Sequence, residues 1–273
     1  IVKDSRNNKL IFNNIWHDIF NRKIVLPEQM QKSKNIDCIM NLIKKISGYK
    51  LEFKNSIAGF VFDKDTDEDI RKNYSSYVWE RGIPASQFMP MLGYLRIIEK
   101  YTFGAGLMDK SHKVLEAPCG FGYGAAYFSS ICRQVEALDI AAESISFAKQ
   151  AYRQPNINWA QGDVAALPYG DGEFDLYFSY EVMEQLHLDM VSAYIEEGCR
   201  VIKKSGKFIL STPNGETRRH VKNPFHIKEY EFNEFKEILE KHFNNVKFYS
   251  MRGLQVEEGM KKTAYDMIAV CEK

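Results

Sequence analysis

The sequence has no paired cysteines, no excess of charge of either sign and no long apolar run, and each absence narrows what the chain can be. Its five cysteines, Cys38, Cys119, Cys132, Cys199 and Cys271, are odd in number and scattered. No two stand in a CxxC pair, so neither a disulfide framework nor a zinc site is expected. Free thiols of a reducing compartment, the cytoplasm, are the simple expectation. The formal net charge is +1. A nucleic-acid partner, which needs clustered Lys and Arg against phosphate, is therefore not expected. No stretch offers the roughly 20 apolar residues needed to span a bilayer. The polar start, Ile1 to Leu10, is not read as a signal peptide. The chain opens on Ile rather than Met, and the expectation is a piece of a longer protein.

What is present divides into two parts. Apolar residues Leu10, Phe12, Ile15, Trp16, Ile19 and Phe20 recur at helical spacing. A second amphipathic stretch carries Ile36, Ile39, Met40, Ile43 and Ile46, with Gly48 as its stop. Residues 1–75 are thus expected to form a mainly helical extension, acting as a lid, a homodimer contact or a contact to a flanking domain. The acidic run from Asp63 to Asp69 lacks the Gly and Glu that a calcium loop requires and is read as surface.

From Lys113 the pattern becomes strand, turn, helix, repeated. Strands are expected at 113–117, 134–139, 157–161, 174–179 and 207–211. Helices are expected up to Cys132, from Ala141 to Tyr152, from Asp189 to Ile202 and from Asn233 to Phe243. Such alternation implies a parallel sheet covered by helices on both faces. Two final strand-like runs, 246–250 and 265–271, have only a polar loop between them and must pair antiparallel. Residues 76–273 are therefore read as one α/β domain, Rossmann-like, with an antiparallel C-terminal strand pair.

The chemistry-bearing signal is the turn Glu116-Ala117-Pro118-Cys119-Gly120-Phe121-Gly122-Tyr123-Gly124, between a strand and a helix. Glycines there let backbone approach a ligand closely. Dinucleotide domains use GxGxxG; the spacing here is GxGxG. Asp139 ends the second strand, where a carboxylate can accept from ribose hydroxyls. Asp163 and Val164 follow the third strand, and Ser179 and Tyr180 end the fourth.

This series, over roughly Tyr77 to Cys271, resembles the class I S-adenosylmethionine-dependent methyltransferases, of the ubiquinone-type and glycan-cluster kind. The resemblance implies S-adenosyl-L-methionine as cofactor. It places Glu116, Gly120, Gly122 and Tyr123 at the amino-acid end of the cofactor, and Asp139 and Ile140 at the ribose and adenine. Asp163 and Val164 would hold the adenine, and Ser179 and Tyr180 would border the transferred methyl. Arg81, in Tyr77-Val78-Trp79-Glu80-Arg81-Gly82, would pair with the cofactor carboxylate. Pro118 departs from the commoner Gly and removes one backbone donor.

Relatives often carry a Glu-His pair at Glu184-Gln185, where Gln185 cannot act as a base. His187 and, in Asn223-Pro224-Phe225-His226-Ile227-Lys228-Glu229-Tyr230, His226 are the candidate general bases, because imidazole titrates near neutrality. No metal-ligand cluster is evident, so metal-independent transfer is expected. The expected reaction is O-methylation of a sugar or glycan-precursor hydroxyl. Alternatives are a small aromatic or quinone-like acceptor, or a catalytically silent methyltransferase-fold binding module. A nicotinamide oxidoreductase is disfavoured by the GxGxG spacing and the antiparallel end.

Overall fold

Strand β1 (Lys113–Glu116) begins a run in which strands and helices alternate along the chain. The computed structural model of the protein describes residues 91–218, 225–252 and 255–273. The expected helical extension over 1–75, the acidic run, Cys38 and Arg81 lie outside the described residues. Arg96–Lys273 forms one compact unit.

Helix α1 (Met91–Ala105) leads into β1. Next come α2 (Tyr123–Ser129), β2 (Gln134–Asp139), α3 (Ala142–Ala151), β3 (Ile157–Gln161) and β4 (Phe174–Tyr180). After a short 3-10 turn (Met183–Gln185) come α4 (Met190–Val201), β5 (Ile202–Pro213), α5 (Gly215–Arg218) and α6 (Phe232–Glu240). Strands β6 (Asn245–Arg252), β7 (Gln255–Glu258) and β8 (Asp266–Glu272) close the chain.

One sheet holds all eight strands in the order β3-β2-β1-β4-β5-β8-β6-β7. The first five pair parallel, and β8 lies antiparallel between β5 and β6. The expected parallel sheet and antiparallel end are both present. Two details differ from expectation. Strand β5 begins at Ile202, because Ile202 already pairs with Phe174 before a register shift, and it runs on to Pro213. The polar loop between the last two runs contains β7, which pairs with β6 through Met251↔Val256. A four-residue edge strand with polar neighbours carries no periodic apolar signal, which is why the sequence reads as loop.

Strands β4 and β8 are buried almost throughout, as central strands covered on both faces must be. On one side Tyr177, Tyr194, Phe208, Phe235 and Phe243 pack together, with Tyr177 and Phe208 stacked at 4.5 Å. On the other, Tyr101 of α1 and Phe128 of α2 pack near Phe178 and Tyr180 of β4. Strand order reverses between β1 and β4, so the carboxyl ends of these two strands open the crevice in which such sheets bind ligands.

Candidate active site

The turn after β1 is held by backbone hydrogen bonds. Cys119 N donates to Leu138 O at 2.8 Å and Gly122 N to Cys119 O at 2.9 Å. Gly122 has φ 83°, in the left-handed region, and a Cβ there would meet the Trp159 ring at 2.5 Å. Glycine is required at this position twice over, by conformation and by space. Tyr123 starts α2 directly after it and is buried.

Glu116 ends β1 with 2% of its surface exposed. The Tyr101 hydroxyl donates to its Oε1 at 2.6 Å, while Oε2 is buried without a hydrogen-bond partner. Burial pushes its carboxyl up to about 8; bonds from Tyr101 and the Ala125 backbone pull the other way. Tyr101 in turn meets Tyr123 and Tyr180 edge-on, at 5.4 and 5.3 Å between ring centres.

Asp139 ends β2, also buried. Its Oδ2 accepts from Gly120 N at 2.8 Å and its Oδ1 from Ala141 N at 2.9 Å. One carboxylate therefore ties the glycine turn to the start of α3. Ile140, next to it, is 63% exposed, an apolar side chain displayed at the mouth of the sheet. After β3, Asp163 Oδ1 accepts from Ala165 N at 2.9 Å and Val164 is buried. At the end of β4 the Ser179 hydroxyl is engaged by Tyr194 OH at 2.9 Å, on the α4 side. The Tyr180 hydroxyl donates to Lys100 O at 3.1 Å.

The structure adds a charged cluster that periodicity and motif spacing do not reveal. Glu181, directly after β4, has φ 56°, unusual for a residue with a Cβ. Lys100 of α1 reaches Glu181 at 2.7 Å and Asp266 of β8 at 2.9 Å. Burial opposes the Lys100 charge, but Asp266 and Glu181 outweigh it and hold its pKa above the usual value. Two successive hydroxyls ending β5 hold two carboxyls: Ser211 Oγ donates to Glu181 Oε1 at 2.7 Å and Thr212 Oγ1 to Glu184 Oε2 at 2.9 Å. Glu184 is fully buried, and burial followed by the charge of Glu181 pushes its carboxyl well above the carboxylate range. Its Oε1 has no hydrogen-bond partner.

The two candidate bases separate clearly. Ile227 N and Lys228 N both donate to Glu184 O, at 2.8 and 3.1 Å, which docks the loop carrying His226. His226 Nδ1 meets Glu229 Oε1 at 2.6 Å, and Nε2 stands 4.0 Å from Glu184 Oε1. His187 is exposed, and its carbonyl accepts from Met190 N at the start of α4. Gln185 donates to Glu181 O at 2.9 Å. Lys100, Glu181 and Asp266 come together only through the fold, from distant sequence positions with no shared motif. Among the described residues no group of three or more His, Cys, Asp or Glu is arranged to hold a metal ion. No helix among them is long and apolar enough to cross a membrane.

Residues 115–210 match the family model described as a methyltransferase domain. A probable S-adenosylmethionine-dependent methyltransferase of Mycolicibacterium smegmatis is 35% identical over 131 residues, 46% of this chain and 49% of that protein. A fatty-acid O-methyltransferase of the same species is 30% identical over 132 residues, 47% of this chain and 46% of that one. The chain thus spans about half the length of the curated relatives it matches. Among solved structures, a TehB-like methyltransferase from Corynebacterium glutamicum aligns with a TM-score of 0.55 at 18% identity. That alignment covers 76% of this chain and 100% of that one.

Proposed function

We propose that the chain carries a class I S-adenosylmethionine-dependent methyltransferase domain and that it transfers a methyl group to a hydroxyl with His226 as general base. S-adenosyl-L-methionine is the cofactor, and its sulfonium supplies an already activated methyl. The residues fit it: buried Glu116 Oε2 lacks a partner that an ammonium would provide. Gly120, Gly122 and Tyr123 frame that end, Asp139 and Ile140 the ribose and adenine, and Asp163 and Val164 the adenine edge. Ser179 and Tyr180 border the methyl by position.

The single observation that carries the base assignment is the His226–Glu229 contact at 2.6 Å. A carboxylate on Nδ1 selects the tautomer with Nδ1–H, so that Nε2 is the accepting nitrogen, and it stabilises the cation formed on proton uptake. A hydroxyl has a high pKa and benefits from such a base. The transfer otherwise needs alignment and exclusion of water. His187, exposed at the start of α4, is the weaker choice. None of these steps needs a metal ion.

For the acceptor we favour a sugar or glycan-precursor hydroxyl. A second reading is a lipid carboxylate, favoured by the likeness to the fatty-acid O-methyltransferase. A carboxylate is already a nucleophile and needs no base. The test is release of S-adenosylhomocysteine with glycan hydroxyls and with fatty acids, in wild type and His226→Ala. Loss of turnover on a hydroxyl acceptor, with cofactor affinity kept, supports the reading. Full turnover of the variant on that hydroxyl removes His226 as the base; fatty-acid turnover indifferent to the variant favours the second reading.

A further inference from the structure

Glu116 is a buried acid with an acceptor atom left over. Its Oε1 takes the Tyr101 hydroxyl at 2.6 Å, its Oε2 takes no hydrogen bond, and among the described residues no cation pairs with it. Lys100, adjacent to Tyr101 in the chain, is committed to Glu181 and Asp266. The groups that face Glu116 from the surrounding elements are Tyr101 of α1, Tyr123 of α2, Asp139 of β2, Tyr152 after α3 and Tyr180 of β4. None of these is a cation. A buried carboxyl in such company holds a proton, because charging it without a counter-ion forfeits hydration.

We propose that Glu116 and Tyr101 form a proton-bearing pair that gives up one proton to solvent when the ammonium of the cofactor's amino-acid end settles against Glu116. Tyr101 of α1 is then a positioning residue of the cofactor site. The balance is simple: a neutral carboxylic acid and an ammonium become a carboxylate–ammonium pair, and the acid's proton leaves to buffer. The Tyr101 bond favours the ionised form that the ammonium requires. Tyr101 also fixes the carboxyl's place: a Cβ on Gly124 would collide with both Glu116 Oε1 and the Tyr101 ring. The inference rests on the methyltransferase reading and deepens it at one end of the cofactor.

The experiment is calorimetric titration of the full chain with S-adenosylhomocysteine, which has the same amino-acid end and no methyl to transfer. Binding heats are compared in phosphate, MOPS and Tris, whose ionisation heats differ. At about pH 7 the wild type should release about one proton per ligand. Glu116→Gln should bind about tenfold or more weakly, with heats independent of buffer. At about pH 8 the wild type should release about half a proton. Tyr101→Phe, which keeps the ring and removes the donor, should then release nearer a whole one. A circular dichroism melt of each variant accompanies the titrations. Wild-type binding with buffer-independent heats overturns the proposal, as does undiminished proton release from Glu116→Gln. Proton release in Tyr101→Phe equal to that of wild type at about pH 8 removes Tyr101 from it. Absence of any binding by the folded wild type instead brings down the cofactor reading itself, and this inference with it.

Discussion

Gly124 is a glycine because the Glu116 carboxyl and the Tyr101 ring occupy the space its side chain would need. The third glycine of the turn thus serves the acid at the end of β1 and the helix before it, not the backbone conformation. Gly124→Ala should displace the Glu116–Tyr101 pair. Overpacking of this kind costs about 1–3 kcal/mol, read in a thermal melt. S-adenosylhomocysteine affinity should fall with it; a variant with wild-type melt and affinity would show the site more yielding than its geometry.

Asp139 joins two elements through its two oxygens, Gly120 N on one and Ala141 N on the other. Asp139→Ala removes both bonds and the proposed ribose acceptor. S-adenosylhomocysteine affinity should drop strongly, with a stability loss of about 1–3 kcal/mol from the unsatisfied amides. Unchanged affinity by calorimetry would sink the ribose assignment.

Glu229→Gln keeps an acceptor near His226 Nδ1 and removes the charge that stabilises the imidazolium. Turnover on a hydroxyl acceptor should fall about 10- to 100-fold, a part of the roughly 100- to 10,000-fold that general-base catalysis supplies. Cofactor affinity should hold. Equal losses in kcat and in cofactor binding would point to a loop-ordering role instead.

Buried Lys100 pairs with both Glu181 and Asp266. Lys100→Met leaves these two carboxylates without their cation, a change that costs about 3–5 kcal/mol. Lys100→Met with Asp266→Asn should recover part of it. A denaturant titration in which the single variant matches wild type would contradict the buried-pair account.

Stability should carry a pH signature of Glu116. Its carboxyl titrates about 8 in the folded chain against an ordinary 4.5. Between those values the folded state holds a proton that the unfolded state lacks. Stability therefore falls as pH rises through that window, by about 1.4 kcal/mol per pH unit for one proton. Glu116→Gln should flatten the slope relative to wild type over that range. Parallel slopes in the two proteins would mean that Glu116 is ionised when folded.

The alternation of apolar runs with helical patterns by itself determined the parallel sheet, because a buried strand and an amphipathic helix each impose their own period on side chains. The glycine turn, Asp139 and Asp163 stood out for a related reason: tight turns and hydrogen bonds at strand ends constrain residue types at short spacing. Strand β7 was not legible, since an edge strand has no face that must be apolar. Nor was the exposure of His187 against the burial of His226, for two histidines near the same crevice look alike in sequence. Only the tertiary structure decided which acids meet which partners. Tyr101 and Glu116 are 15 residues apart, and Thr212 and Glu184 are 28. Burial and pairing of such groups depend on where the sheet places its strand ends, and no local pattern encodes that.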